Sequence, residues 1–186
     1  MFSFENVNKN TVKEVFLAAK QNSLFHVLSF TLLTALSAQV IVPVEPVPFT
    51  LQTMFVVLSG AFLGAKNGFF SQSIYLILGI IGFPVFAGFS FGLTKIFGPT
   101  GGYLLSFPFA AYLVGYFVER NKSKFNVVFS IVLANILILF IGAAYLAVFF
   151  GGNFSKALFS GAVIFSVWDI IKMSAAISIY FAFTKK

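Results

Sequence analysis

Cysteine is absent, and Asp, Glu, Lys and Arg together make up only 9% of the 186 residues. The first absence excludes a disulfide framework, thiolate zinc sites and iron–sulfur clusters. The lone histidine, His26, cannot build an imidazole metal site by itself. The shortage of charge excludes more. A soluble domain normally carries about 25% charged residues, and a globule of this length has too much surface to cover with so few. No Gly-Lys-Ser/Thr run follows a glycine-rich turn, so nucleotide hydrolysis is not expected. His26 and Asp169 lie in remote segments, which argues against a Ser/His/Asp triad. No apolar run holds two carboxylates, which argues against a proton relay. An enzyme is therefore not expected.

What is present is apolar. Hydrophobic residues make up 59% and aromatics 19% of the chain, and the mean hydropathy is +0.99. This is the composition of a polytopic membrane protein. Six apolar segments run near 22–42, 50–65, 68–82, 102–118, 125–150 and 157–183. A spanning helix needs about 20 residues, and the first, fifth and sixth segments reach that length. The second and third are short and joined by Gly64-Ala65-Lys66-Asn67-Gly68. Two spans with a tight turn are expected there, with one re-entrant hairpin as the alternative. The expected fold is all-α: a six-helix transmembrane bundle forming a single integral membrane domain over 1–186.

Residues 1–20 differ from the rest. Val12, Val15, Phe16 and Ala19 recur at helical spacing among Glu5, Lys9, Lys13, Glu14 and Lys20. They predict a short amphipathic helix on the cytoplasmic surface. The apolar stretch that follows has no convincing A-x-A site and is long for a signal-peptide core, so cleavage is not expected.

The net charge of +7 would suggest nucleic acid in a soluble protein. Here the basic residues sit between apolar runs and read as topology signals; the expected surroundings are a lipid bilayer, not nucleic acid. Lys9, Lys13, Lys20, Lys66, Arg120, Lys122, Lys124, Lys185 and Lys186 fall on one side, against Lys95 and Lys156 on the other. The positive-inside rule places both termini in the cytoplasm. The outward connections are then 43–49, 83–101 and 151–156. In the first, Pro43, Pro46 and Pro48 make a stiff, extended loop. The second, between the third and fourth spans, is long, glycine-rich and aromatic. A solvent loop would be polar, so this one is expected to fold over the bundle as a lid or wall.

Two features could carry chemistry. Asp169 and Lys172 sit mid-way along the last apolar segment, spaced to share one helical face. A charge at that depth costs about 2.5–3.5 kcal/mol on insertion scales. Either the two form a self-satisfied ion pair, or they face a cavity as a binding site. Phe165 and Trp168 lie beside them as a stacking wall. The second feature is Gly98-Pro99-Thr100-Gly101-Gly102-Tyr103, before the fourth span. It can cradle an anion at a helix start, or simply make a tight turn with close helix packing. Gln52, Gln72, Ser90 and Asn135 are lesser candidates, equally suited to joining helices.

The run VPVEPVPFTLQTMFVVLSGAFLGAKNGFFSQSIYLILGIIGFPVFAG, followed by FGPTGGYLLSFPFAAYLVG and the late Asp169-Ile170-Ile171-Lys172, resembles the BioY family. These are biotin-capture S components of energy-coupling-factor (ECF) transporters. The likeness covers roughly residues 30–182. It implies a biotin site near the outer face and no cofactor. It also implies a bacterial cytoplasmic membrane, and partners: a transmembrane coupling subunit and two ATPase subunits. Asp169 and Lys172 would face the ureido ring, whose N–H groups and carbonyl they can serve. Phe86, Phe91, Tyr103 or Trp168 would flank the bicycle, with Gln52 and Ser90 nearby. The valerate carboxylate would rest on the Gly101-Gly102 helix start or pair with Lys95. Other members can carry an amide near the position of Ser90 and an arginine near Leu104. An S component for a different vitamin is the alternative reading.

Overall fold

The computed structural model describes residues 22–184. The amphipathic helix expected within residues 1–20 lies outside the described residues. Seven α-helices and one two-stranded ribbon make up the described chain. Helices Gln52–Ile80, Gly101–Arg120, Lys124–Phe150 and Ser166–Thr184 are long and apolar enough to cross a membrane, and Ser23–Ser37 is a shorter apolar helix. The boundaries depart from the six expected segments in three places, each with a physical cause.

The first departure is at the start. Helix α1, Ser23–Ser37, is capped by Asn22, whose Oδ1 accepts from Leu24 N–H at 2.9 Å. It stops short of the expected residue 42. Instead Ile41–Val42 (β1) pairs antiparallel with Phe49–Thr50 (β2), with Ile41 opposite Thr50. The ribbon ends after two pairs. Pro43, Pro46 and Pro48 have no N–H to extend a ladder.

The second departure concerns the two short segments. They form one helical element, α2, Gln52–Ile80, broken at Gly64, where φ is 81° and ψ is 179°. The break is a reversal. A Cβ on Gly68 would lie 2.9 Å from Gly60 Cα, and Gln72 Nε2 donates to Ser59 Oγ at 3.1 Å. At the far end Gln52 Nε2 donates to the Tyr75 hydroxyl. Residues 52–63 and 65–80 are therefore antiparallel arms, pressed together where glycines carry no side chain. The turn is held from outside: Glu119 Oε1 accepts from Ala65 N–H at 3.1 Å, at the start of the second arm.

Between 80 and 101 the chain is not a plain loop. It contains a 3-10 turn, Ala87–Phe89, and a one-turn helix, α3, Leu93–Ile96. Helix α4, Gly101–Arg120, packs on α2, where a Cβ on Gly115 would strike the backbone of Gly64 and Ala65. Helix α5, Lys124–Leu146, starts at a Ser123 cap and continues as a 3-10 turn, Ala147–Phe150. Val57, Ala111, Val114, Ile131, Ala134 and Ile138 are fully enclosed at the centre of the bundle.

The third departure is in the last segment. It divides into α6 (Phe154–Leu158), a π-helical turn (Phe159–Val163) and α7 (Ser166–Thr184). Phe165 N–H donates to Ala162 O at 3.1 Å rather than to Gly161 O. The freed Gly161 carbonyl accepts from the Tyr103 hydroxyl at 2.7 Å. A bond of this kind lets a helix break within a membrane without an orphaned backbone group.

Candidate ligand-binding site

The irregular segments meet around a cavity of about 480 Å³, a size typical of small-molecule sites. The ribbon loop contributes Pro46 and Val47, the start of α2 Gln52 and Thr53, and the 83–100 segment Phe86, Ser90 and Lys95. Helices α4 and α5 add Tyr103, Leu104, Phe107 and Ile138. Phe165, Asp169 and Lys172 close the remaining side.

Most of this wall is apolar and rigidly packed. Phe165 meets Phe49 edge-on, 4.4 Å between centroids, and stacks on Tyr103 at 6.3 Å. Phe86 is 1% exposed. It meets Tyr75 edge-on at 5.6 Å and covers Gly79, where any Cβ would strike its ring. Aromatic pairs of this geometry add roughly 0.5–1.5 kcal/mol beyond burial.

Asp169 and Lys172 are each 3% exposed. One turn of α7 brings Lys172 Nζ to 2.6 Å from Asp169 Oδ1. Lys172 also donates to Thr53 Oγ1 at 2.7 Å and more weakly to Thr50 O at 3.3 Å. An ammonium has three donors, so all of them are engaged. Asp169 Oδ2, by contrast, is buried with no hydrogen-bond partner. An ionised oxygen left in this state is unfavourable unless a donor reaches it. The site thus sets a buried carboxylate with one unpartnered oxygen beside an ammonium whose third bond is weak, between flat apolar walls.

Eight of the candidate side chains lie on the cavity wall, Gln52, Phe86, Ser90, Lys95, Tyr103, Phe165, Asp169 and Lys172, together with Gly98, Pro99 and Thr100 of the glycine-rich turn. Their polar atoms differ in availability. Gln52 Oε1 accepts from Thr50 Oγ1 at 2.8 Å and its amide group serves Tyr75. Ser90 Oγ donates to Ala87 O at 2.7 Å. The Tyr103 hydroxyl is committed to Gly161, so only its ring is available. Lys95 is exposed at the rim.

Four candidates are not brought to the wall. Phe91 is 54% exposed. Trp168 is half-buried, with its Nε1 enclosed and without a partner. Gly101 and Gly102 serve packing: a Cβ on either would strike the Ile96 carbonyl or the Tyr145 side chain. Of the lesser candidates, Gln72 joins α1 to α2, donating to Thr34 Oγ1 and Ser59 Oγ at 3.1 Å each. Asn135 is buried in α5 away from the wall. Thr53 was not among the expected residues, although it closes the quoted Pro-Phe-Thr-Leu-Gln-Thr run.

A model of the BioY family matches residues 9–186. The "Probable biotin transporter BioY" of Pyrococcus horikoshii is 44% identical over 163 residues, covering 88% of this chain and 95% of that protein. The "Biotin transporter BioY" of Thermotoga maritima is 37% identical over 147 residues, covering 79% and 86%. A crystal structure of the S component for biotin from an ECF-type ABC transporter superposes with a TM-score of 0.82. It is 26% identical and is matched over 97% of this chain and 95% of that one. With its apolar helices and these relatives, the protein is a multi-pass membrane protein, and it belongs to the BioY family.

Proposed function

We propose that this protein captures biotin at the outer face of the cytoplasmic membrane and delivers it inward as the S component of an ECF-type importer. The observation that carries this reading is the unpartnered Asp169 Oδ2 beside Lys172, buried in a largely apolar cavity. Biotin's ureido ring has two N–H donors and one carbonyl. The Asp169 carboxylate turns its unpartnered oxygen toward the cavity to accept from an N–H. The ureido carbonyl takes the place of Thr50 O, the weakest partner of Lys172. The bicycle lies against Phe86, Tyr103 and Phe165. Leu104 stands on the wall with no charge to offer, so the valerate carboxylate turns to Lys95 at the rim.

Topology supports an outward-facing cavity. The reversal at Gly64 lies beside Glu119, so Lys66 shares one end of the bundle with Arg120, Lys122 and Lys124. The positive-inside rule makes that end cytoplasmic, and the cavity lies at the other. Counting the α2 arms separately and α6 with α7 as one passage gives six crossings and cytoplasmic termini. The protein acts as a carrier, not an enzyme. Its energy comes from partners: a transmembrane coupling subunit and two ATPase subunits.

Equilibrium binding of biotin to the detergent-purified chain tests the proposal, with Asp169→Asn alongside. Tight binding by the wild type, reduced at least about a hundredfold in the variant, is the expected result. No binding by a folded wild type refutes the biotin assignment and favours another vitamin. Undiminished binding by the variant refutes the site.

A further inference from the structure

The segment that walls the cavity is held by a residue outside it. Within 83–100, Gly88 and Phe89 both have positive φ, 67° and 55°. Glycine takes that conformation freely, but for a bulky aromatic it is an outlier that persists only where the surroundings enforce it. Packing does not enforce it here, because Phe89 is 67% exposed. Hydrogen bonding from Gln39, just past the end of α1, does. Gln39 Oε1 accepts from Phe89 N–H at 2.9 Å. Its Nε2 donates to Phe86 O at 3.2 Å and to Ala35 O at 3.1 Å. One side-chain amide therefore ties α1 to both ends of the strained turn.

The remaining bonds leave that turn dependent on Gln39. Tyr75 donates to Val85 O at 3.2 Å, and Gly92 N–H donates to Gly79 O at 2.7 Å. These fix the flanks of the turn. Between them, the buried Phe86 ring anchors the start of the turn on Tyr75 and Gly79, and Phe86 N–H to Ser90 O at 3.0 Å closes the turn on itself, so no other hydrogen bond among the described residues ties Ala87–Ser90 to the bundle. Phe86, Ala87 and Ser90 face the cavity from this turn, whereas Gln39 does not line it. Without Gln39, Phe89 can relax to negative φ and loosen Ala87 and Ser90 on the wall, while the Phe86 ring stays packed on Tyr75 and Gly79.

We propose that Gln39 is a positioning residue, a latch that holds the Phe86–Ser90 turn closed over the cavity and sets how slowly a bound molecule leaves. The identity of that molecule rests on the biotin reading; the latch itself does not.

The test uses the full chain in detergent, as wild type, Gln39→Ala, Gln39→Glu and Gln39→Ala/Phe89→Gly. Hydrogen exchange without ligand reads the latch directly. In Gln39→Ala, exchange over 86–91 accelerates on the order of tenfold while the rest of the bundle is unchanged. A chase of labelled biotin reads the consequence. Dissociation from Gln39→Ala accelerates on the order of tenfold, with association within about twofold of wild type. Gln39→Glu keeps the acceptor for Phe89 N–H but loses the donor to Phe86, and falls between. Glycine at 89 removes the strain, so the double variant returns toward wild type, a rescue that a merely structural role for Gln39 would not give. Unchanged exchange in Gln39→Ala, or loss of protection throughout the bundle, overturns the latch. Faster exchange with unchanged dissociation overturns its role in retention. If wild type binds no biotin, the functional reading fails and the exchange result alone decides the latch.

Discussion

Replacing Asp169 and Lys172 together by apolar residues of similar volume, Asp169→Leu with Lys172→Met, separates the pair's service to the fold from its service to the ligand. Single substitutions confound the two. Removing one partner of a buried pair strands the other charge at a cost of about 3–5 kcal/mol. Removing both eliminates Coulomb attraction and desolvation together, and is often neutral or stabilising by about 1–4 kcal/mol. In this site Thr53 Oγ1 and Thr50 O lose a donor. Both atoms border the cavity, where water can replace it, so the loss is held to about 1 kcal/mol. Against it stands relief of the unpartnered Asp169 Oδ2, worth about 1–3 kcal/mol.

The net change should lie within about 2 kcal/mol of wild type, or about 8 °C in Tm for a chain of this size. In the proposed pose biotin would lose two charge-assisted hydrogen bonds at about 1.5–3 kcal/mol each. Affinity should therefore fall by about 100-fold to 20,000-fold. Thermal unfolding in detergent and calorimetric titration with biotin measure the two quantities on one preparation. A double variant that fails to fold would make the pair structural. One that folds and binds within tenfold of wild type would remove it from the site.

Two further predictions follow from neighbouring residues. Lys95→Ala should weaken biotin by about tenfold at low salt, less as salt rises, and leave binding of biotin methyl ester unchanged; equal losses for both ligands would place the carboxylate elsewhere. Tyr103→Phe keeps the ring on the cavity but orphans the Gly161 carbonyl inside the bundle. It should cost about 1–3 kcal/mol of stability and speed hydrogen exchange over 159–165, and an unchanged exchange rate there would refute the account of the helix break.

The ion pair was legible because charge is conspicuous in an apolar run, and its i,i+3 spacing requires one face once the run is helical. The two arms of α2 were legible through the glycines at their junction. The rest depended on contacts that a linear pattern does not carry. Apolar periodicity continues through residues 38–42, so nothing in that run marks the end of α1 at Ser37; the pairing with Phe49–Thr50 decides it. The break at Phe159–Val163 occurs in an equally apolar run, and its stability depends on Tyr103, 58 residues earlier. Gly101 and Gly102 fitted an anion cradle and a packing turn equally well, and the approach of Tyr145 decides for packing. Trp168 is adjacent to Asp169 in sequence, but consecutive helical residues point about 100° apart, so adjacency did not place it on the cavity.

The irregular backbone is distributed unevenly, and that bears on how the site must open. Non-helical chain at membrane depth is tolerated where it is buried in protein or lines a cavity. Here the ribbon loop and the 83–100 segment contribute directly to one cavity, and the Phe159–Val163 turn is bound by Tyr103 from its wall. The opposite end contains the reversal at Gly64, pressed against Gly115, with Gly68 pressed against Gly60 on the neighbouring arm. Backbone meets backbone in both contacts, and close-packed interiors of this kind shift between discrete arrangements instead of deforming smoothly. An inward gate would have to prise those contacts apart, whereas the ribbon loop and the Gln39-held turn can move without disturbing them. On the orientation proposed above, this asymmetry puts ligand entry at the ribbon-loop end and leaves the glycine-packed end intact. A disulfide tying the ribbon loop to the 83–100 segment should then abolish uptake, and unchanged uptake in the locked protein would refute entry by this route.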